Sequence, residues 1–90
     1  MFGKQINFRE AKNFLIDMLD GKKFTLKEDT DNYLEIEVTE KKRCIVFKLY
    51  FNKKLTVDIT DSYFLLRVPK TTFKKIEKYK EFIVESVNKI

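Results

Sequence analysis

Leu34-Glu35-Ile36-Glu37-Val38-Thr39-Glu40-Lys41-Lys42-Arg43-Cys44-Ile45-Val46-Phe47-Lys48-Leu49 alternates apolar and polar residues on either side of the Lys41-Lys42 pair. A period of two is that of an extended chain with one buried side, because successive side chains of a strand point to opposite faces. Placing a two-residue turn at Lys41-Lys42 sets Val38 against Ile45, Ile36 against Phe47 and Leu34 against Leu49. Every pair on that face is apolar, and a slip by one residue would turn the whole row to solvent.

The same test extends the pattern in both directions. A three-residue loop at Asn52-Lys53-Lys54 pairs Phe51 with Leu55, Leu49 with Val57 and Phe47 with Ile59. A two-residue turn at Asp61-Ser62 pairs Ile59 with Phe64, Val57 with Leu66 and Leu55 with Val68. Upstream, a strand with Phe24 and Leu26 facing inward joins through the turn-forming run Asp29-Thr30-Asp31-Asn32. These five strands make an antiparallel meander in sequence order, with Pro69 closing the last one. Asn7 with Glu10 three residues on is a capping box, and Phe8, Ala11, Phe14, Leu15, Met18 and Leu19 form the apolar face of a helix that Gly21 ends. After Pro69, Thr71 or Thr72 is positioned to cap a C-terminal helix with the stripe Phe73, Ile76, Tyr79, Ile83, Val87 and Ile90. The expected fold is α+β: N-terminal helix, five-stranded antiparallel β-meander, C-terminal helix, both helices on one face of the sheet. With no Pro-rich or Ser-rich linker, residues 1–90 read as one small domain.

Hydrophobic residues make up 43% of the chain and thirteen residues are Phe or Tyr, enough to build a core without disulfide or metal. No apolar run approaches membrane-spanning length and no signal segment is evident, so the expectation is a cytoplasmic protein with no membrane partner. Cys44 is the sole cysteine, in keeping with a reducing compartment. Charge divides the chain: residues 41–90 carry 13 Lys and Arg against 5 Asp and Glu, while residues 1–40 carry 6 against 9. Clustered positive charge steers acidic partners, yet only Arg9, Arg43 and Arg67 supply the bidentate fork favoured in base and phosphate recognition.

Catalysis is disfavoured. The chain has no histidine, its serines are Ser62 and Ser86, and Glu35 and Glu37 stand among lysines that keep them ionised. Asp29, Asp31 and Glu40 faintly echo a calcium loop, but Leu34 occupies the position where the bend demands glycine. Gly3 and Gly21 cannot form a phosphate-binding loop. The expectation is a non-enzymatic protein with no cofactor and no metal.

Two surfaces could hold a partner. On the outward face of the sheet, Tyr33 stands beside Tyr50, Lys48 lies between Glu35 and Asp58, Thr60 beside Tyr63, and Val46, Leu65 and Arg67 also point outward. Projected on the last helix, Lys75, Lys78, Phe82 and Lys89 share one strip flanked by Lys74, with Phe82 off the apolar stripe and towards solvent. In outline a meander followed by a helix is similar to small single-stranded-DNA-binding coactivator domains, and helix, sheet, helix is similar to a bacterial nucleoid-associated dimer family. The likeness is one of shape and transfers no function. The interleaved acids and the low arginine share favour a regulatory or adaptor protein that binds another protein or a second copy of itself, such as a phage-type or plasmid-type inhibitor or accessory protein. The alternative is a nucleic-acid-binding module that stacks single-stranded bases on Tyr33 and Tyr50.

Overall fold

A computed structural model describes residues 6–61 and 66–90, apart from the side chains of 66–69. Its elements run α1 (Phe8–Met18), β1 (Phe24–Asp29), β2 (Tyr33–Glu40), β3 (Arg43–Asn52), β4 (Lys54–Asp61), β5 (Leu66–Phe73) and α2 (Ile76–Asn88). The strands form one antiparallel sheet in the order β1-β2-β3-β4-β5, so the fold is α+β as the alternation predicts.

The central registers follow from the apolar pairing. Val38 meets Ile45, Ile36 meets Phe47 and Leu34 meets Leu49. Phe51 meets Leu55, Leu49 meets Val57 and Phe47 meets Ile59. Lys41 and Lys53 turn these two hairpins in the left-handed region, at φ 56° and 66°.

The last strand departs from the expectation. Ile59 pairs with Val68, Thr60 with Arg67 and Asp61 with Leu66, four residues further along the chain than a turn at Asp61-Ser62 would give. The connection through residues 62–65, including that turn and the expected pairing of Phe64, lies outside the described residues. Past a bulge the register becomes Val57 with Thr71, Thr56 with Thr72 and Leu55 with Phe73. Pro69 therefore does not close the strand. It sits at the bulge of an edge strand, one of the few places in a sheet that tolerates a missing N–H. Thr71, Thr72 and Phe73 belong to β5, and the residue that caps α2 is Lys75, whose side chain makes no capping bond.

The N-terminal helix begins as predicted, with Asn7 Oδ1 accepting from the backbone N–H of Arg9 at 2.9 Å and of Glu10 at 3.3 Å. The Glu10 carboxylate, which a capping box would turn back to the cap, accepts from Lys80 Nζ at 3.1 Å and joins α1 to α2. Gly21 follows the helix at φ 89°, a conformation that glycine adopts at no steric cost.

One core fills the space between the helices and the inner sheet face. Phe8, Ala11, Leu15 and Leu19 of the α1 region and Tyr79, Ile83 and Val87 of α2 pack on Leu34, Ile36, Val38, Ile45, Phe47, Leu49, Leu55, Val57 and Ile59. Phe14, Met18, Ile76 and Ile90 lie partly buried at its margin. Phe73 completes it from β5 rather than from the helix. Tyr79 is fully buried at the centre, its hydroxyl donating to the Ala11 carbonyl at 2.7 Å and its ring edge-on to Phe14 and Phe73. Burial raises its pKa, since an apolar site disfavours the phenolate. Phe24 and Leu26 take the inward register, opposite Val38 and Ile36, yet remain 36% and 47% exposed because the helices do not cover the β1 margin. Among the described residues no helix is long and apolar enough to cross a membrane.

Candidate functional site

Both helices pack on one sheet face, which leaves the other to solvent and sorts its side chains into rows across the strands. The first row is Tyr33, Tyr50, Thr56 and Thr72. The second is Glu28, Glu35, Lys48 and Asp58. The third is Thr25, Glu37, Val46, Thr60 and the backbone position of Arg67. Strand pairing alone thus brings the predicted Tyr33, Val46, Lys48 and Tyr50 onto one surface.

Tyr33 and Tyr50 have ring centroids 6.3 Å apart at a tilt of 39°. The Tyr33 hydroxyl donates to Glu35 Oε1 at 2.6 Å. Its pKa is pushed up to about 12 by partial burial, by that hydrogen bond and by the negative charges of Glu35, Glu28 and Asp58. Lys70 Nζ lies 6.0 Å from the centre of the Tyr50 ring, a cation–π arrangement. Asn32, Tyr33, Lys48, Tyr50, Asn52, Asp58 and Lys70 surround an open depression of about 570 Å³.

Asp58 is the surprise of this face. It points away from the core yet is only 4% exposed, a carboxylate largely withdrawn from water in the strand position next to Lys48 and beside the β5 bulge. Alternation placed it on the face but could not reveal its burial, which goes with a register shift of β5 between Val57 and Ile59. On the inner side of the sheet, past Ile45 at the same end, Arg43 stands opposite Glu40 in the β2–β3 hairpin and directs its guanidinium to Asp61 of β4. Cys44, half-buried, has its thiol pushed up in pKa by burial and by the nearby Glu37 charge, the opposite of what an attacking thiolate needs.

The helix strip is rearranged. Lys74 and Lys75 are exposed but precede α2, and Lys78 in its first turn lies 3.9 Å from Glu81. Phe82 does not face solvent. It is partly buried, with its ring 5.3 Å from that of Phe73, because Phe73 enters from the strand and occupies the side of α2 that the sequence projection left open. Tyr63 and Leu65 lie outside the described residues, as does the expected contact of Tyr63 with Thr60, whose strand partner is Arg67. With Phe73 opposite Leu55, Lys74 and Lys75 follow at the sheet end where Lys53 and Lys54 turn.

Among the described residues no three His, Cys, Asp or Glu side chains are grouped to hold a metal ion. The class defined by this fold is an α+β protein with an open meander backed by two helices on one side. Comparison with protein-family models, with curated proteins and with solved structures finds no match to the chain.

Proposed function

We propose that this chain is a non-enzymatic binding protein, a cytoplasmic regulator or adaptor, and that it engages another protein through the outer face of its sheet. The observation that carries the reading is the mixture on that face of a tyrosine pair, the half-buried Val46 and charges of both signs. Lys48 stands between Glu35 and the withdrawn Asp58. A strand of nucleic acid stacked on Tyr33 and Tyr50 would carry its phosphates past Glu28, Glu35, Glu37 and Asp58, whereas a protein surface can answer each charge with its opposite.

The test uses a photo-crosslinking side chain placed at Tyr50, at Val46 or, as a control on the exposed side of α2, at Glu85. Discrete protein adducts from positions 50 and 46, absent from position 85, are expected. Equal labelling from all three would sink the reading.

A second reading has one specific observation in its favour. Lys70 over the Tyr50 ring, together with Lys53, Lys54, Lys74 and Lys75 at the same sheet end, could bind an anionic single strand whose bases stack on the tyrosines. Oligonucleotide binding that Tyr50→Ala and Lys70→Glu both abolish at moderate salt would establish it. Under the protein-binding reading only weak association is expected, lost on adding salt and indifferent to Tyr50.

A further inference from the structure

The open edge of β1 combines unused backbone groups, an uncovered apolar pair and an ordered run of charge. Among the described residues β1 borders only β2, and all six of its residues are exposed. The Thr39 N–H donates to the Lys23 carbonyl at 3.0 Å. Because hydrogen-bonding direction alternates along an antiparallel strand, Lys23 and Thr25 turn their backbone groups to β2, while Phe24 and Leu26 turn theirs to the open edge. The same two residues carry the apolar side chains that continue the inner row outward from Val38 and Ile36.

We propose that two copies of this chain pair antiparallel through β1, about a two-fold axis at Thr25, joining their sheets into one of ten strands. In this register Phe24 of each copy meets Leu26 of the other. The two residues exchange their edge N–H and C=O groups and merge their exposed side chains into one apolar strip on the inner face. Charge selects a second copy as the occupant. The segment Lys22-Lys23-Phe24-Thr25-Leu26-Lys27-Glu28-Asp29 begins basic and ends acidic, so antiparallel pairing about Thr25 sets Lys22 against Glu28 of the other copy, while Lys23 falls opposite a Lys27 that Glu37 of its own sheet already engages at 3.7 Å. Glu28 lies directly opposite Glu35 in the β1–β2 register, an unfavourable like-charge pair, and Lys22 of the second copy would arrive opposite it.

The irregularities of both edges fit a closed pair. The β1 register shifts between Leu26 and Glu28, which ends regular pairing just past Leu26, and β5 at the other edge contains Pro69 with no N–H to donate. Sheet growth therefore stops at two copies. This contact uses a strand edge and is independent of the outer-face reading above.

Sedimentation of the full chain over a hundredfold concentration range, with far-ultraviolet circular dichroism as a check on folding, tests the pairing. Wild type is expected to pass from monomer to dimer and Leu26→Lys to remain monomeric with an unchanged spectrum. Thr25→Cys in a Cys44→Ser background is expected to form a disulfide-linked dimer on mild oxidation. A non-hydrogen-bonded antiparallel pair has Cα atoms about 4.5 Å apart, at the near end of the roughly 4.4–6.8 Å a disulfide spans. If Leu26→Lys does not fold, Lys22→Glu and Glu28→Lys serve instead, each weakening the dimer and the double variant restoring it. A wild type that stays monomeric throughout overturns the proposal. So does a dimer that Leu26→Lys leaves intact, a position 25 that does not crosslink, or a double variant that fails to restore pairing.

Discussion

Replacing Tyr79 with Phe removes one oxygen atom from the centre of the core and leaves the ring in place, which makes it a clean measure of how α2 is held to α1. The hydroxyl donates to the Ala11 carbonyl at 2.7 Å in a fully buried setting. Ala11 lies in the interior of α1, where its carbonyl also serves the helix, so deleting the hydroxyl does not strand an acceptor. The cost is then the net value of one neutral buried hydrogen bond, about 1 kcal/mol. For a chain of this size that corresponds to a fall in Tm of roughly 4–8 °C. Tyr79→Ala would in addition open a cavity and lose the edge-on contacts with Phe14 and Phe73, for a total of about 3–5 kcal/mol. Urea and thermal unfolding followed by circular dichroism would separate the two variants, with an unchanged denaturant slope for Tyr79→Phe. A Tyr79→Phe protein as stable as wild type, or as damaged as Tyr79→Ala, would refute the assignment of this hydroxyl as the link between the helices.

Phe82→Ala provides a second check, expected to cost about 2 kcal/mol because the ring packs on Phe73, where truncation of a solvent-facing aromatic would stay within about 0.5 kcal/mol. Denaturant melts decide between those figures. In alkali, Tyr33 and Tyr79 should ionise late, Tyr33 at about 12, as an absorbance titration of the phenolates would record. Both folded pKa values lie above the unfolded value of 10.0, so the two states bind equal protons at these groups at lower pH. Above it the unfolded chain releases protons that the native state retains, and stability falls as pH rises towards 12. Tyr33→Phe should flatten that decline, and an unaltered slope would contradict the Glu35 contact.

The central hairpins were legible because each register had one solution that kept an apolar row together. Leu34, Ile36 and Val38 can meet Leu49, Phe47 and Ile45 only about a turn at Lys41-Lys42, and a one-residue slip is penalised at every pair. The fourth hairpin lacked that protection. A shift of β5 by four residues, an even number, preserves the alternation, so the expected and observed registers score alike. Local chemistry then pointed the wrong way. Threonine is at home both in a strand and at a helix N-cap, and Thr71-Thr72 after Pro69 reads as a cap until the bulge is known. What opposes the expected arrangement is long-range: Phe73 pairs with Leu55 and packs between Tyr79 and Phe82, which a helical Phe73 could not do in this sheet.

That single register carries most of the revision to the candidate surfaces. It takes Lys74 and Lys75 off the helix and sets them at the sheet end where Lys53 and Lys54 turn, and it fills the side of α2 that would have exposed Phe82. It also places the bulge beside Asp58, a carboxylate only 4% exposed on the very face where the tyrosines lie. The rows built from β2 and β3 needed no such knowledge, so Tyr33, Lys48 and Tyr50 came together from alternation alone. The charge separation along the chain is reduced by folding where Lys80 meets Glu10 and where the β2–β3 register sets Glu35 against Lys48 and Glu40 against Arg43. Positive charge persists where the β3–β4 turn meets the start of α2, beside the tyrosine pair. Acidic groups dominate the β1–β2 side of the same face, where Glu28, Glu35 and Glu37 line up. A partner that spans this face must therefore present opposite charge at each end, a demand that a folded protein surface meets and a uniform polyanion does not.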